Sequence, residues 1–274
     1  MISLFARFEK KLRSDGLVSA AAAAIRFGIR KIAIPVTDLY YGPVAKRNSP
    51  IEYFGILIPT RHTVFNREIR ARFTRGTYER EEIHALEKHL PEGYDVVDLG
   101  ASTGLISAYS ERKVDSKRKV IAVEANPHMI PLIEEVKTLN EAEFLLHNRA
   151  YHSTRREVDF YVHKVSLGGS VQRQTQNQIN IRATSLEQLF DEYDLENATV
   201  ICDIEGGEVD LINNELEFLC QRCPLFVVET HWFAPGVNEV EGILRDSKLQ
   251  RLEKIGNVMI YQNPKFSLKS SSPP

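Results

Sequence analysis

Cysteine is scarce in this chain, with three residues among 274, an odd count without a framework of spacings. That excludes a disulfide-stapled scaffold and suits a reducing cytosol. Cys220 and Cys223 form a lone C-x-x-C, without the second pair that would complete a structural zinc site. They precede Pro224 and an apolar run, so the pair is expected at a helix C-terminus, where nothing lowers a thiol pKa. Net charge is scarce too: a formal −2 gives no general attraction to nucleic acid or anionic membrane. Long apolar runs are missing. Leu17 to Ile25 is cut off by Arg26, Arg30 and Lys31, well short of the ~20 residues of a membrane span. The polar stretch ahead of it, from Arg7 to Asp15, argues against a signal peptide, so a cytoplasmic protein is expected. No internal repeat is present.

What is there alternates. Residues 1–50 read as a helical extension and a turn-rich linker, with Pro35, Gly42, Pro43 and Pro50 in the second part. The helices would pack on the main domain or on a second chain, which leaves a homo-oligomer open. Residues 51–59 and 61–65 are expected to pair around Pro59-Thr60. The basic run Arg67, Arg70, Arg72 and Arg75 is answered by Glu79, Glu81 and Glu82 and reads as a solvated face. Tyr78 to Leu90 has helical spacing. Strands are then predicted at 95–99, 119–124, 143–147, 199–204 and 224–230, and helices at 104–112, 128–139, 185–193, 207–219 and 237–247. This is the pattern of a mostly parallel, Rossmann-like α/β sheet, seven-stranded, covered on both faces and filling 51–263. Its last two strands, joined by Ile255-Gly256, must be antiparallel. Two further strands, 157–163 and 179–184, flank a polar, glycine-bearing loop at 164–180. The tail from Pro264 reads as disordered.

The chemistry starts at Val96-Val97-Asp98-Leu99-Gly100-Ala101-Ser102-Thr103-Gly104. A buried strand feeding a helix through glycines presents free backbone N–H groups to a ligand. The same letters spell G-x-S-x-G, a hydrolase nucleophile elbow, with Asp203 or Glu229 and then His231 in the required order. Against that reading, the turn follows the first strand of the βα series and no oxyanion loop precedes it. A nucleotide site also asks for an acid at the end of the next strand, and Glu124 stands there. The spacing is G-x-x-x-G, a poor fit to a dinucleotide pyrophosphate. A smaller, cationic adenosyl ligand suits it better.

Asp98 to Gly104, Val123-Glu124-Ala125-Asn126-Pro127, His147-Asn148-Arg149-Ala150 and Asp203-Ile204-Glu205-Gly206-Gly207-Glu208 follow one another in order. Over about residues 76–235 the chain thereby resembles the FkbM-type S-adenosylmethionine-dependent methyltransferases. It departs at Ser102-Thr103, where Asn and an apolar residue are common. The resemblance implies that Gly100, Ala101, Ser102 and Gly104 line the methionine end of the cofactor, with Asp98 near its ammonium. Glu124 would hold the ribose, and Ala125 would lie beside the adenine. Asn148, Arg149 and Ala150 would border the adenine or methionine portion, and Tyr78-Glu79 would cover the cofactor.

For the transfer itself, Asp203 is expected to position the acceptor or act as base, with Glu229 and His231 beside it. A divalent cation on Asp203, Glu229 and His231 is left open and not expected. The resemblance implies O-methylation of a sugar, glycan or small natural product; a serine hydrolase or a non-catalytic adenosyl-binding protein is the alternative, and the charge gives no expectation of a nucleic-acid partner. Acceptor selection would fall to the 164–180 loop and the N-terminal extension.

Overall fold

A computed structural model describes residues 38–162, 169–170, 176–231 and 233–266. The expected N-terminal helices, most of the 164–180 loop and the tail past 266 lie outside the described residues. Ahead of the main sheet come a hairpin, β1 (Ile51–Tyr53) and β2 (Ile56–Ile58), and two helices, α1 (Arg67–Arg75) and α2 (Arg80–His89). Next are β3 (Asp95–Leu99), α3 (Leu105–Lys113), β4 (Val120–Val123), α4 (Ile130–Asn140) and β5 (Leu145–His147). A side group follows, made of β6 (Ala150–Tyr151), β7 (Glu157–Val162), β8 (Gly169–Ser170) and β9 (Gln178–Thr184). The chain returns through α5 (Leu186–Glu192), β10 (Ala198–Cys202), α6 (Glu208–Arg222), β11 (Leu225–Glu229) and α7 (Val237–Arg245). It finishes in β12 (Gln250–Ile255) and β13 (Val258–Gln262).

The central sheet runs β12-β13-β11-β10-β3-β4-β5. Its β3, β4, β5, β10 and β11 are mutually parallel, and β13 lies antiparallel between β11 and β12. The α/β class, the seven strands and the closing hairpin are as the sequence predicts. The central strands are near-continuous Val, Ile, Ala and Leu because helices cover both faces. On one face pack α1 to α4, through residues such as Ile83, Leu86, Leu105 and Ile133. On the other pack α5 to α7, through Leu189, Leu211, Ile212 and Leu244. From β3 the chain moves outward to β4 and β5, then crosses back to β10 and β11. The strand order therefore reverses between β3 and β10, and a crevice opens at their C-terminal ends.

The side sheet, ordered β6-β9-β7-β8, carries its own small core of Val158, Phe160, Ile181 and Ala183. It is pinned to the helical layer by Glu215, a buried acid in α6. Glu215 Oε2 accepts from Tyr151 Oη (2.5 Å) and Leu186 N (3.1 Å), and Oε1 accepts from Glu187 N (3.2 Å). One carboxylate thus ties β6 to α6 and satisfies two of the otherwise unpaired N–H groups that open α5.

Three local expectations need correcting. The first hairpin turns at Phe54-Gly55 (φ 49° and 80°), not at Pro59-Thr60. Two consecutive positive φ values make the tight turn that matches strand twist. Residues 61–65 form no strand, because Thr60 is already engaged: its Oγ1 donates to Ala45 O (2.7 Å), and its carbonyl accepts from Arg70 Nε (2.8 Å). The supposed linker is helical over 38–47 and packs closely. A Cβ on Gly42 would come within 2.4 Å of the Arg67 side chain. The described part of the tail, 264–266, is folded back, with the Phe266 ring edge-on to Tyr94. As expected, Cys220 and Cys223 sit at the C-terminal end of α6, and burial pushes the Cys223 thiol up to about 12.

Candidate active site

The turn after β3 is held from both neighbouring strands. The N–H groups of Gly100 and Ala101 both donate to Val123 O (2.9 and 3.0 Å), and Asp203 N donates to Leu99 O (2.9 Å). Gly100 has φ 94°, and a Cβ there would lie 1.8 Å from Asp203 O. No side chain fits. Ser102 also takes a left-handed conformation (φ 48°), and its Oγ lies 3.1 Å from Tyr78 Oη. Asp98 is buried beneath the turn, where its Oδ2 accepts from Ser107 Oγ (2.5 Å).

Above the turn opens a cavity of about 420 Å³. From the sheet it is lined by Gly100, Ser102, Glu124, Ala125, Asp203 and Glu229, with His231 just beyond β11. Ile69 and Arg72 of α1, and Tyr78, Glu79 and Glu82 at the start of α2, form a roof. Arg149, Ala150, Tyr151 and Phe160 close the side-sheet end.

Glu124 organises the floor. Its Oε2 accepts from Ser102 N (2.8 Å) and its Oε1 from Asn126 N (2.6 Å), so one carboxylate clamps the two turns that follow β3 and β4. Burial pushes Glu124 up to about 7, although both donors favour the ionised form. Burial raises Asp98 likewise, to about 6.

At the other end acids crowd together. Burial, and then the charge of Glu229, hold Asp203 well above the usual carboxylate range; Glu229 is raised too, chiefly by burial. Glu208 is engaged, its two oxygens accepting from Ile204 N (3.1 Å) and Gly206 N (2.9 Å). His231 Nδ1 lies 2.9 Å from Glu208 Oε1, and its Nε2 is 3.5 Å from Asp203 Oδ1 and 3.7 Å from Glu205 Oε2. Burial opposes charge on the imidazole, but these carboxylates override it and hold His231 up at about 10. It is a fixed cation at neutral pH, not a free base.

The expected site residues are thus brought together, with a division of labour the sequence did not suggest. Gly100, Ser102, Glu124, Ala125, Arg149, Ala150, Asp203, Glu229 and His231 line the cavity, whereas Asp98, Ala101, Gly104 and Asn148 support it from outside. Asn148 Nδ2 donates to Glu124 O (2.8 Å) and Ala125 O (3.2 Å), bracing the backbone under the carboxylate. Arg149 makes a two-pronged pair with Glu192. Sequence reasoning missed Arg72, Glu82, Tyr151 and Phe160. The basic run read as a solvated face is helix α1, with Ile69 and Phe73 buried four residues apart; that pair was the available signal. The elbow reading fails on geometry: the neighbour of Ser102 Oγ is the Tyr78 hydroxyl, and His231 is held by acids. A serine nucleophile needs a base within hydrogen-bond reach.

The raised carboxyls have a measurable consequence. Between pH 4 and 7 the folded protein keeps protons on Asp98 and Glu124 that the unfolded chain releases, so stability falls as pH rises through that window. His231, raised from 6.5 to about 10, acts in the same direction at higher pH. For Asp98 alone, moved from 3.8 to about 6, the loss is ~3 kcal/mol. Scanning calorimetry of the unliganded protein is expected to show Tm lower at pH 8 than at pH 5.5 by roughly 5–10 °C. A Tm that rises across this range would contradict the burial described here.

Residues 98–252 match the family model described as the methyltransferase FkbM domain. A search of curated protein sequences finds no match. Among solved structures the chain is similar to a ribosomal protein L11 methylase from Lactobacillus delbrueckii subsp. bulgaricus, with 11% identity over 68% of this chain and 77% of that one, and a TM-score of 0.40. A SAM-dependent methyltransferase from Aquifex aeolicus gives 15%, 67%, 89% and 0.35. A putative RNA methyltransferase from Pyrococcus horikoshii gives 14%, 69%, 83% and 0.38. Likeness at this level assigns no acceptor to this chain. Among the described residues no helix is long and apolar enough to cross a membrane.

Proposed function

The chain belongs to the FkbM methyltransferase family, and from that premise we propose that it transfers the methyl group of S-adenosylmethionine to a hydroxyl oxygen of a sugar, glycan or small natural product. One observation carries the reading. The Gly100 turn, the Glu124 carboxylate and the acids ending β10 and β11 face a single cavity at the point where strand order reverses. In this reading Glu124 accepts from the ribose hydroxyls, Gly100 and Ser102 flank the methionine portion, and Ala125, Ala150 and Phe160 border the adenine. Asp98 and Asn148 act at one remove, by holding the turn and the backbone beneath Glu124. Asp203 then accepts a hydrogen bond from the acceptor hydroxyl and aims its oxygen at the methyl carbon.

The sulfonium already activates the methyl group, so the protein's part is alignment, exclusion of water and removal of one proton. A new O–C bond forms as the S–C bond breaks, and its electron pair returns to sulfur. The acceptor's proton goes to a carboxylate at the β10–β11 end, where burial favours proton uptake.

The test is a screen of cell extracts with methyl-labelled S-adenosylmethionine, the product being identified by mass spectrometry. An O-methylated small molecule is expected. Asp203→Asn should lower kcat by about 100-fold while leaving binding of S-adenosylhomocysteine close to that of the parent. Label on nitrogen, or fluorophosphonate capture of Ser102, would sink the proposal.

A further inference from the structure

Glu82 is unusual among the acids of this site. It reaches the cavity from α2, is 3% exposed, and receives no hydrogen bond from any described residue. Glu79 Oε2 and Asp203 Oδ1 accept no hydrogen bond from the described residues, although His231 Nε2 lies 3.5 Å from Asp203 Oδ1. A buried carboxylate with no partner costs several kcal/mol unless it is protonated or meets a cation. His231 is shared among Glu208, Asp203 and Glu205, and Arg72 lies over the Tyr78 ring.

We propose that Glu82, Asp203 and Glu229 form a binding site for one divalent cation of the hard class, such as Mg²⁺, Mn²⁺ or Ca²⁺. One oxygen from each of the three lies within 4.8 Å of the others. Oxygens around such an ion, at about 2.0–2.6 Å from it, stand roughly 3–5 Å apart, so the spacing fits with little movement. All three donors are carboxylates, the ligand type this class prefers. The ligands come from three separate elements, α2, β10 and β11, so the ion would fasten the roof to the sheet. Its remaining positions would face the cavity, where Asp203 keeps its second oxygen for the acceptor.

The purpose given to the ion rests on the methyl-transfer reading, but its binding is tested independently of it. After EDTA treatment and desalting, the protein is titrated with MnCl₂ while free Mn²⁺ is followed by electron paramagnetic resonance. S-adenosylhomocysteine binding is measured by calorimetry on the same samples. One Mn²⁺ per chain is expected, with CaCl₂ or MgCl₂ raising Tm. Glu82→Gln, a neutral isostere that should fold at least as well, is expected to weaken Mn²⁺ at least tenfold, and Glu229→Gln likewise. Retained S-adenosylhomocysteine binding with no saturable Mn²⁺ up to millimolar concentration would overturn the cation site alone. Parent-like Mn²⁺ affinity in both variants would overturn it too. Loss of S-adenosylhomocysteine binding by the parent would overturn the cofactor reading instead.

Discussion

Gly100→Ala is expected to yield little or no folded protein. The added methyl would sit 1.8 Å from the Asp203 carbonyl oxygen, and that atom is backbone at the end of the central strand β10. It has nowhere to go. Asp203 N is itself bonded to Leu99 O across the β3–β10 ladder, so relief means prising apart the two strands in the middle of the sheet. A left-handed φ of 94° adds its own penalty for a residue with a Cβ. Together these should cost about 4–5 kcal/mol, the range reserved for steric conflict in a packed core. The check is soluble yield and Tm beside Gly93→Ala, where a Cβ meets no atom within 4 Å. A Gly100→Ala protein melting within about 3 °C of the parent would show that β3 and β10 are not so close.

The second large effect concerns ligand affinity. Glu124→Ala is expected to weaken S-adenosylhomocysteine by at least ~100-fold, measured by isothermal titration. On the proposed reading two hydrogen bonds from hydroxyls to a carboxylate would be lost, each worth roughly 1.5–3 kcal/mol, and tenfold in affinity is about 1.4 kcal/mol. The substitution also frees Ser102 N and Asn126 N, so the floor that receives the ligand loosens as well. Glu124→Gln separates the two contributions, since the amide oxygen can still accept from one of these donors. Because the carboxyl sits at about 7 before ligand arrives, parent affinity should rise as pH increases through 7, and this slope should vanish in both variants. Affinity within a few-fold of the parent in Glu124→Ala would remove Glu124 from the site.

Much of this was legible because the signals are local. Val96-Val97 and Val120 to Val123, each ending in an acid and followed by a turn, can only be buried parallel strands, and Ile255-Gly256 allows only a hairpin. Glu124 could be found because strand ends converge at a switch point whatever the details. The misses depend on contacts that residue order does not carry. Phe54 offers no turn signal, so Pro59, four residues past Gly55, outweighs it in the sequence pattern. Glu82 is one acid among several in a charged helix, and only the approach of α2 to β11 and β13 sends it inward. The resemblance puts Asn148 at the border of the cofactor, and no residue order shows that its Nδ2 donates to the Glu124 and Ala125 carbonyls. His231 looked like a base by residue type. Three carboxylates decide otherwise, all of them on the loop and helix after β10.

The roof of the cavity also bears on how the chain comes together. Helix α2 leaves the ribosome early, with Ile83 and Leu86 on its apolar face. Its partners include β11 and β13, and β13 is the last strand to be made, although it lies inside the sheet between β11 and β12. Helix α2 must therefore wait for almost the whole chain before its apolar face is fully covered. Such long-range closure is slow and leaves sticky intermediates. Refolding yield should depend on protein concentration, and a fragment ending before Val258 would leave β11 with an open edge and α2 with half its seat missing.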